Sequence, residues 1–278
     1  MEVNITDYLP WQKTYLVPVG DIQQGASGVD LSKLKDDIKR GLDNDAYYCG
    51  LGDYLDVASP SGRQKLAAAG FYDSVLAALA ARCDEELEEL KEIFEPTRGR
   101  WWGLVQGHHF LDYGDGTTTD TRLADWLGCP FLGDSAFIRP RFEDGTVRTS
   151  LDVYITHGTG SGATQAAPLA KLEKVSNGTI ADLYLINHYA RRGSVPRDRI
   201  GLNQQGQIEA KTIHMTATGG YMKGYEQGSK SSGRAQGSYV EKAMMNPTTM
   251  GGVLIGLEPR RVTRLGKRVT EVHIEVTT

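Results

Sequence analysis

Five apolar runs in this chain each stop at a side chain able to hold a metal ion, and no other feature constrains the fold as strongly. Residues 15–19 run into Gly20-Asp21, 46–51 into Gly52-Asp53, 101–105 into Gly107-His108-His109, 147–155 into His157-Gly158, and 180–186 into Asn187-His188. Short apolar runs bounded by glycine and polar residues read as buried strands. Between them, Leu31, Leu34, Ile38 and Leu42 recur at helical spacing behind Asp30 as N-cap, and 62–94 is a long helical region ended by Pro96. The chain is therefore of α/β class. In open α/β sheets, ligands bind outside the carboxyl ends of the strands, so five such ends predict one polar cage.

Histidine usage sharpens that expectation. The chain has six histidines. His108, His109, His157 and His188 stand at strand ends beside glycine or asparagine, while His214 and His273 fall inside predicted strands and read as structural. Two carboxylates with several imidazoles suit zinc, manganese, iron or nickel better than calcium or magnesium alone.

Bulk properties exclude several classes. A net charge of −4 gives no whole-molecule attraction to nucleic acid or acidic membranes. The three cysteines, Cys49, Cys83 and Cys129, have no CxxC spacing, which argues against a disulfide framework or a structural zinc site and for a reducing, cytoplasmic setting. The first ten residues lack the apolar core of a signal peptide, and no apolar stretch approaches the roughly 18 residues of a membrane span. One domain over 1–278 is the simplest organisation.

Other segments fill in the picture. A glycine-rich loop at 158–162 lacks the GK(S/T) ending of a P-loop, and a helix over 166–175 is expected after it. A hairpin is expected over 201–210 and 211–218, a Gly/Ser-rich excursion over 221–247, and strands at 252–257 and 269–276 around a basic turn at 260–268. Trp101-Trp102 reads as sheet packing, and the acidic run 84–92 as a solvated helix face. Arg191, Arg192, Arg197 and Arg199 follow His188 directly, either as a solvated loop or as a rim facing phosphate or nucleic acid.

As an ordered set, Gly20-Asp21-Ile22-Gln23, Gly52-Asp53-Tyr54-Leu55-Asp56, Gly107-His108-His109, His157-Gly158 and Asn187-His188-Tyr189-Ala190 resemble the five blocks of the calcineurin-like metallophosphoesterases. Those blocks are usually GDxH, GDxxD, GNH(D/E), an HG-type block and GHxH. The match covers residues 15–190 in order, and Thr218-Gly219-Gly220, Tyr239-Val240-Glu241-Lys242 and Gly251-Gly252 are similar to the ends of phage-borne members.

The resemblance implies a four-layer αββα sandwich of two mixed β-sheets flanked by helices, with 200–278 completing the second sheet. It implies two divalent metals roughly 3.5–4 Å apart, drawn from manganese, zinc, iron or nickel. Asp53 matches the bridging carboxylate, His157 and His188 the second-metal ligands, Asp21 a first-metal ligand, and His109 the histidine that protonates the leaving group. Gln23 and Ala190 depart from the pattern where first-metal histidines are expected, and His108 where asparagine is. Phe110 replaces the acidic partner of the catalytic histidine, with Asp112 a nearby carboxylate. The first metal keeps Asp21, Asp53 and at best the Gln23 amide oxygen, while the second gains His108, so one or two metals per chain are expected.

The implied activity is metal-dependent hydrolysis of phosphate esters, with a phosphodiester (nucleotide or nucleic acid) ahead of a monoester and with Arg191 and Arg192 on the substrate. Its rival is a catalytically reduced relative that binds a nucleotide, nucleic acid or protein through the same pocket.

Overall fold

Residues 183–186, Leu-Tyr-Leu-Ile, are buried throughout. A strand this apolar on both faces must lie inside a sheet covered on both sides. The computed structural model supplies both covers. It describes residues 1–278 except 27, 161, 163, 203–205, 229, 232–233, 236, 238, 243, 245 and 265.

The chain opens with β1 (Glu2–Pro10), β2 (Thr14–Val19), α1 (Leu31–Asp43) and β3 (Tyr47–Gly50). There follow α2 (Pro60–Ala68), α3 (Asp73–Phe94), β4 (Trp101–Leu104) and α4 (Thr119–Leu127). The middle of the chain forms β5 (Ser135–Asp144), β6 (Val147–Ser150), β7 (Val153–Thr156), α5 (Ala167–Ser176) and β8 (Leu183–Ile186). Last come β9 (Gly193–Leu202), β10 (Ile208–Ala217), the two-residue strands β11 (Lys230–Ser231) and β12 (Arg234–Ala235), α6 (Tyr239–Lys242), β13 (Leu254–Arg264) and β14 (Lys267–Thr277).

Two mixed sheets result. One runs β1-β5-β7-β8-β10-β9 with β6 on β5, and the other β14-β13-β2-β3-β4. Within them β2, β3 and β4 are mutually parallel, as are β7, β8 and β10. Side chains alternate across each strand, and the alternation sorts the core into three slabs. Leu16, Cys49 and Trp102 of one sheet meet Ile138, Val153, Ile155, Leu183 and Leu185 of the other. The opposite faces carry Val17, Tyr48 and Trp101 against Leu34 and Ile38 of α1, Leu87 and Leu90 of α3 and Leu123 of α4. Tyr154, Tyr184, Ile186 and Met215 pack against Leu172 of α5. The order of layers is helix, sheet, sheet, helix, and Trp101 and Trp102 serve two different slabs. Asp30 caps α1 by accepting from the Lys33 N–H at 3.0 Å.

Several expectations are corrected. Glu2–Pro10 form an edge strand paired with β5, missed because Val3 and Ile5 face solvent. The late hairpin begins at Gly193, not 201, and pairs through Ile208–Ala217. Residues 62–94 break into α2 and α3 around Gly70, whose φ is +60°. The basic run 260–268 extends the β13–β14 ladder to the pair Arg264–Lys267. The acidic run 84–92 is not wholly solvated, since Glu86 is buried and accepts from Gln24 at 2.6 Å. Among the described residues no helix is long and apolar enough to cross a membrane.

Leu185 lies fully buried between the sheets. Leu185→Ala is expected to lower unfolding free energy by about 2–5 kcal/mol, read from the midpoint of a urea titration with unchanged slope.

Candidate metal centre

Beyond the ends of β2 and β3 the two chains continue side by side. Asp21 N–H donates to Gly52 O, Gln23 N–H to Asp53 O and Gln24 N–H to Tyr54 O, each at 3.0 Å. Three turns at this edge adopt left-handed backbone: Asp21 (φ 47°) with Gln23 (φ 53°), Asp53 (φ 54°), and His188 (φ 71°) with Ala190 (φ 45°). Only two other described non-glycine residues, Asp45 and Met244, share that region. Such conformations cost of order 1–3 kcal/mol each and persist where the surroundings over-determine them. A β-carbon at Gly107 would overlap the Asp53 nitrogen and Oδ1, so only glycine lets the third strand end approach.

These turns bring four ligand atoms, one each from Asp53, His108, His157 and His188, within 4.8 Å of one another. The three imidazole rings stand at 70° to 89° to each other with centroids 4.7–5.0 Å apart, a corner rather than a stack. His157 Nδ1 lies 2.7 Å from Leu51 O, and His188 Nε2 lies 2.7 Å from Gly160 O. Both contacts require those nitrogens to carry the proton. The inner nitrogens, His157 Nε2 and His188 Nδ1, then face each other at 3.2 Å, with Asp53 Oδ2 also 3.2 Å from His157 Nε2. Two lone pairs cannot meet at that distance without a cation or a proton between them. Outer nitrogens tied to carbonyls with inner ones free are what orients histidine toward a metal.

The charges agree. Burial opposes a charged His157, but the Asp53 carboxylate outweighs it and lifts the imidazole to about 9. Asp53, despite burial, is held far below the usual carboxylate range by His157 and His109. Burial first, then the charge on His157, lowers His188 to about 4. Asp21 is buried at 4% exposure with neither carboxylate oxygen hydrogen-bonded. Burial raises it to about 7 against the opposing charge of His157; the Ala190 N–H beside it offsets this in part without reaching hydrogen-bond geometry. An orphaned carboxylate beside an imidazole corner fits a divalent cation. Asp53, His108, His157 and His188 could hold one, and Asp21 is placed outside that four-atom cluster.

Other expected residues find different surroundings. His109 does have an acidic partner: its Nδ1 lies 3.0 Å from Asp56 Oδ1, which raises its pKa. Asp56 closes the block Gly52-Asp53-Tyr54-Leu55-Asp56, so the signal was in that motif; Asp112 instead accepts from Gly114 N–H at 2.9 Å. Arg191 is buried and donates to Gly162 O, while Arg192 donates to Gly252 O at 3.3 Å. Arg197 and Arg199 reach Ser176 at the end of α5. Residues 161 and 163 of the glycine-rich loop lie outside the described residues. Asn187, which opens the fifth block, has a buried amide with no partner, and Asp120, a fully buried carboxylate accepting from Gly107 N–H at 3.2 Å, went unrecognised because nothing in the sequence marks it.

No family model and no curated protein matches the chain. Solved structures resemble it loosely. Vacuolar protein sorting 29 from Cryptosporidium parvum is 13% identical at TM-score 0.38, covering 96% of this chain and 99% of its own. A predicted phosphoesterase from Streptococcus pneumoniae is 11% identical at TM-score 0.32, covering 94% of this chain and 98% of its own. GAP50, the anchor in the inner membrane complex of Plasmodium, is 11% identical at TM-score 0.40, covering 94% of this chain and 84% of its own. At these values the likeness is one of general chain course, and the chemistry rests on the side chains above.

A pKa raised from the ordinary 6.5 to about 9 means that His157 contributes stability fully below pH 6.5 and loses it as pH rises through about 9. Thermal melts in a metal chelator should fall over that window in the wild type, and His157→Gln should flatten the slope.

Proposed function

We propose that this chain is a metal-dependent hydrolase of phosphate esters. The facing inner nitrogens of His157 and His188 beside Asp53 carry this reading. When bound, a divalent transition metal would lower the pKa of a coordinated water and polarise a phosphoryl oxygen. Manganese, zinc, iron and nickel suit the donors.

The protein's own contribution is orientation. Leu51 O and Gly160 O set the tautomers of His157 and His188. Asp56, 3.0 Å from His109 Nδ1, favours the charged imidazole, and His109 would deliver a proton to the leaving oxygen. Asp21, with Gln23 beside it in the turn, offers oxygen donors to a second, weaker cation. Arg191 and Arg192 each commit one nitrogen to a carbonyl, of Gly162 and of Gly252, and their remaining N–H groups would meet the substrate phosphate. With one well-supplied cation site, a phosphodiester monoanion fits better than a monoester dianion, and a nucleotide or nucleic acid is the first class to try.

Asp53→Asn and His157→Ala should lose both bound metal and hydrolysis of bis-p-nitrophenyl phosphate. His109→Ala should keep the metal while turnover drops about 10²–10⁴-fold. Full metal and turnover in His157→Ala would sink the proposal.

The second reading, a catalytically reduced binding module, draws on Ala190. A β-carbon on Gly220 would lie 3.2 Å from Ala190 Cβ and 3.0 Å from Asp21 Cβ, so the chain closes over the place of a second histidine. Elemental analysis after gel filtration separates the two readings. One tightly held metal per chain with turnover favours the hydrolase, and none without turnover favours the module.

A further inference from the structure

The segment 107–111 carries His108 and His109 yet belongs to no helix or strand. Buried backbone groups outside regular structure must find side-chain partners, and here they can be followed one by one. Gly107 N–H donates to Asp120 Oδ2 at 3.2 Å. The N–H groups of His108 and His109 both donate to Asp53 Oδ1, the latter at 2.9 Å. Leu111 N–H donates to Thr119 Oγ1 at 3.3 Å. The carbonyls go to a residue far away in sequence: Arg63 Nη1 donates to His108 O at 2.6 Å and, with a longer contact of 3.5 Å, to Phe110 O. The same nitrogen donates to Ala58 O at 2.7 Å, at the entry to α2.

The guanidinium also lies 3.9 Å from the Phe110 ring centroid, a cation–π distance. One planar group therefore clamps the segment through its carbonyls and through its aromatic side chain. This gives Phe110 a role in place of the carboxylate expected there: it is the platform on which Arg63 lies. Half-burial lowers the pKa of Arg63, offset by the nearby charges of Asp120, Asp53 and Asp112.

We infer that Arg63 is a positioning residue for the metal centre, a latch reaching from α2 that fixes where His108 and His109 point. It touches neither metal nor substrate and acts through the backbone of residues 108–110. A lysine cannot replace it, because an ammonium offers no plane to stack on Phe110 while reaching two carbonyls. The inference rests on the hydrolase reading for its function and on the backbone contacts for its structure, so its test has two arms.

The first arm is amide hydrogen exchange of metal-free protein. Arg63→Ala and Arg63→Lys should both accelerate exchange across 107–111 while α3, β3 and β8 keep wild-type protection. The second arm is titration with Co²⁺, followed by its visible absorption. Loss of an outer partner of metal ligands typically weakens affinity about 10–100-fold, and the same loss with an altered band is expected for both variants. Millimolar guanidinium should partly restore affinity in Arg63→Ala and leave the wild type unchanged. Unchanged exchange at 107–111 overturns the latch, and so does faster exchange with wild-type Co²⁺ affinity and spectrum. A wild type that takes up no Co²⁺ refutes the metal reading instead, and hydrogen exchange then decides the latch alone.

Discussion

The Asp53 carboxylate is where the two halves of the molecule meet. Its Oδ1 accepts two consecutive N–H groups, those of His108 and His109, from the loop after β4. Its Oδ2 faces His157, which stands at the end of β7 in the opposite sheet and is itself tied back to Leu51 O beside Asp53. Buried carboxylates are costly unless paired and hydrogen-bonded, and here both oxygens are occupied. The left-handed turn at Asp53 and the bare backbone of Gly107 exist to permit that geometry. If Asp53 moves, the third strand end loses its anchor and the imidazole corner loses its countercharge.

Around that point the site is unequal. On one side three imidazoles and Asp53 converge with their outer nitrogens committed. On the other, Asp21 keeps two unpartnered oxygens while Ala190 and Gly220 fill the adjoining space with backbone. Imidazole donors and oxygen-only donors prefer different cations. The asymmetry therefore belongs to the packing and is more than a change of two side chains.

Much of this was legible in the sequence, and the reasons are local. Residues 183–186 and 101–104 are continuous apolar runs, and a strand covered on both faces has no other pattern available to it. Strand ends beside glycine announced Asp21, Asp53, His108 and His157, and the one at Asn187 announced His188. Edge elements hid instead: β1 exposes Val3 and Ile5, and β9 exposes Val195, Ile200 and Leu202 while half-burying Arg197 and Arg199. Such strands make half their contacts, so alternation is weak. Within the site, Asp56 could be read from its motif, because the block that contains Asp53 also ends on Asp56. Arg63 could not. Its contact with His108 spans 45 residues, and no local pattern encodes a side chain that meets a backbone that distant.

The left-handed turns set the centre at odds with the rest of the fold under laboratory evolution. Glycine adopts such backbone freely, so at Gln23 and Ala190 a change to glycine relieves local strain, whereas at Asp53 it would strip the acceptor from two N–H groups. A screen that rewards heat resistance alone would be drawn first to the codons of Gln23 and Ala190, and would leave Asp53 in place because the fold itself leans on it. Natural proteins sit above a stability threshold and not at an optimum, and this edge of the sandwich shows where such a reserve is held.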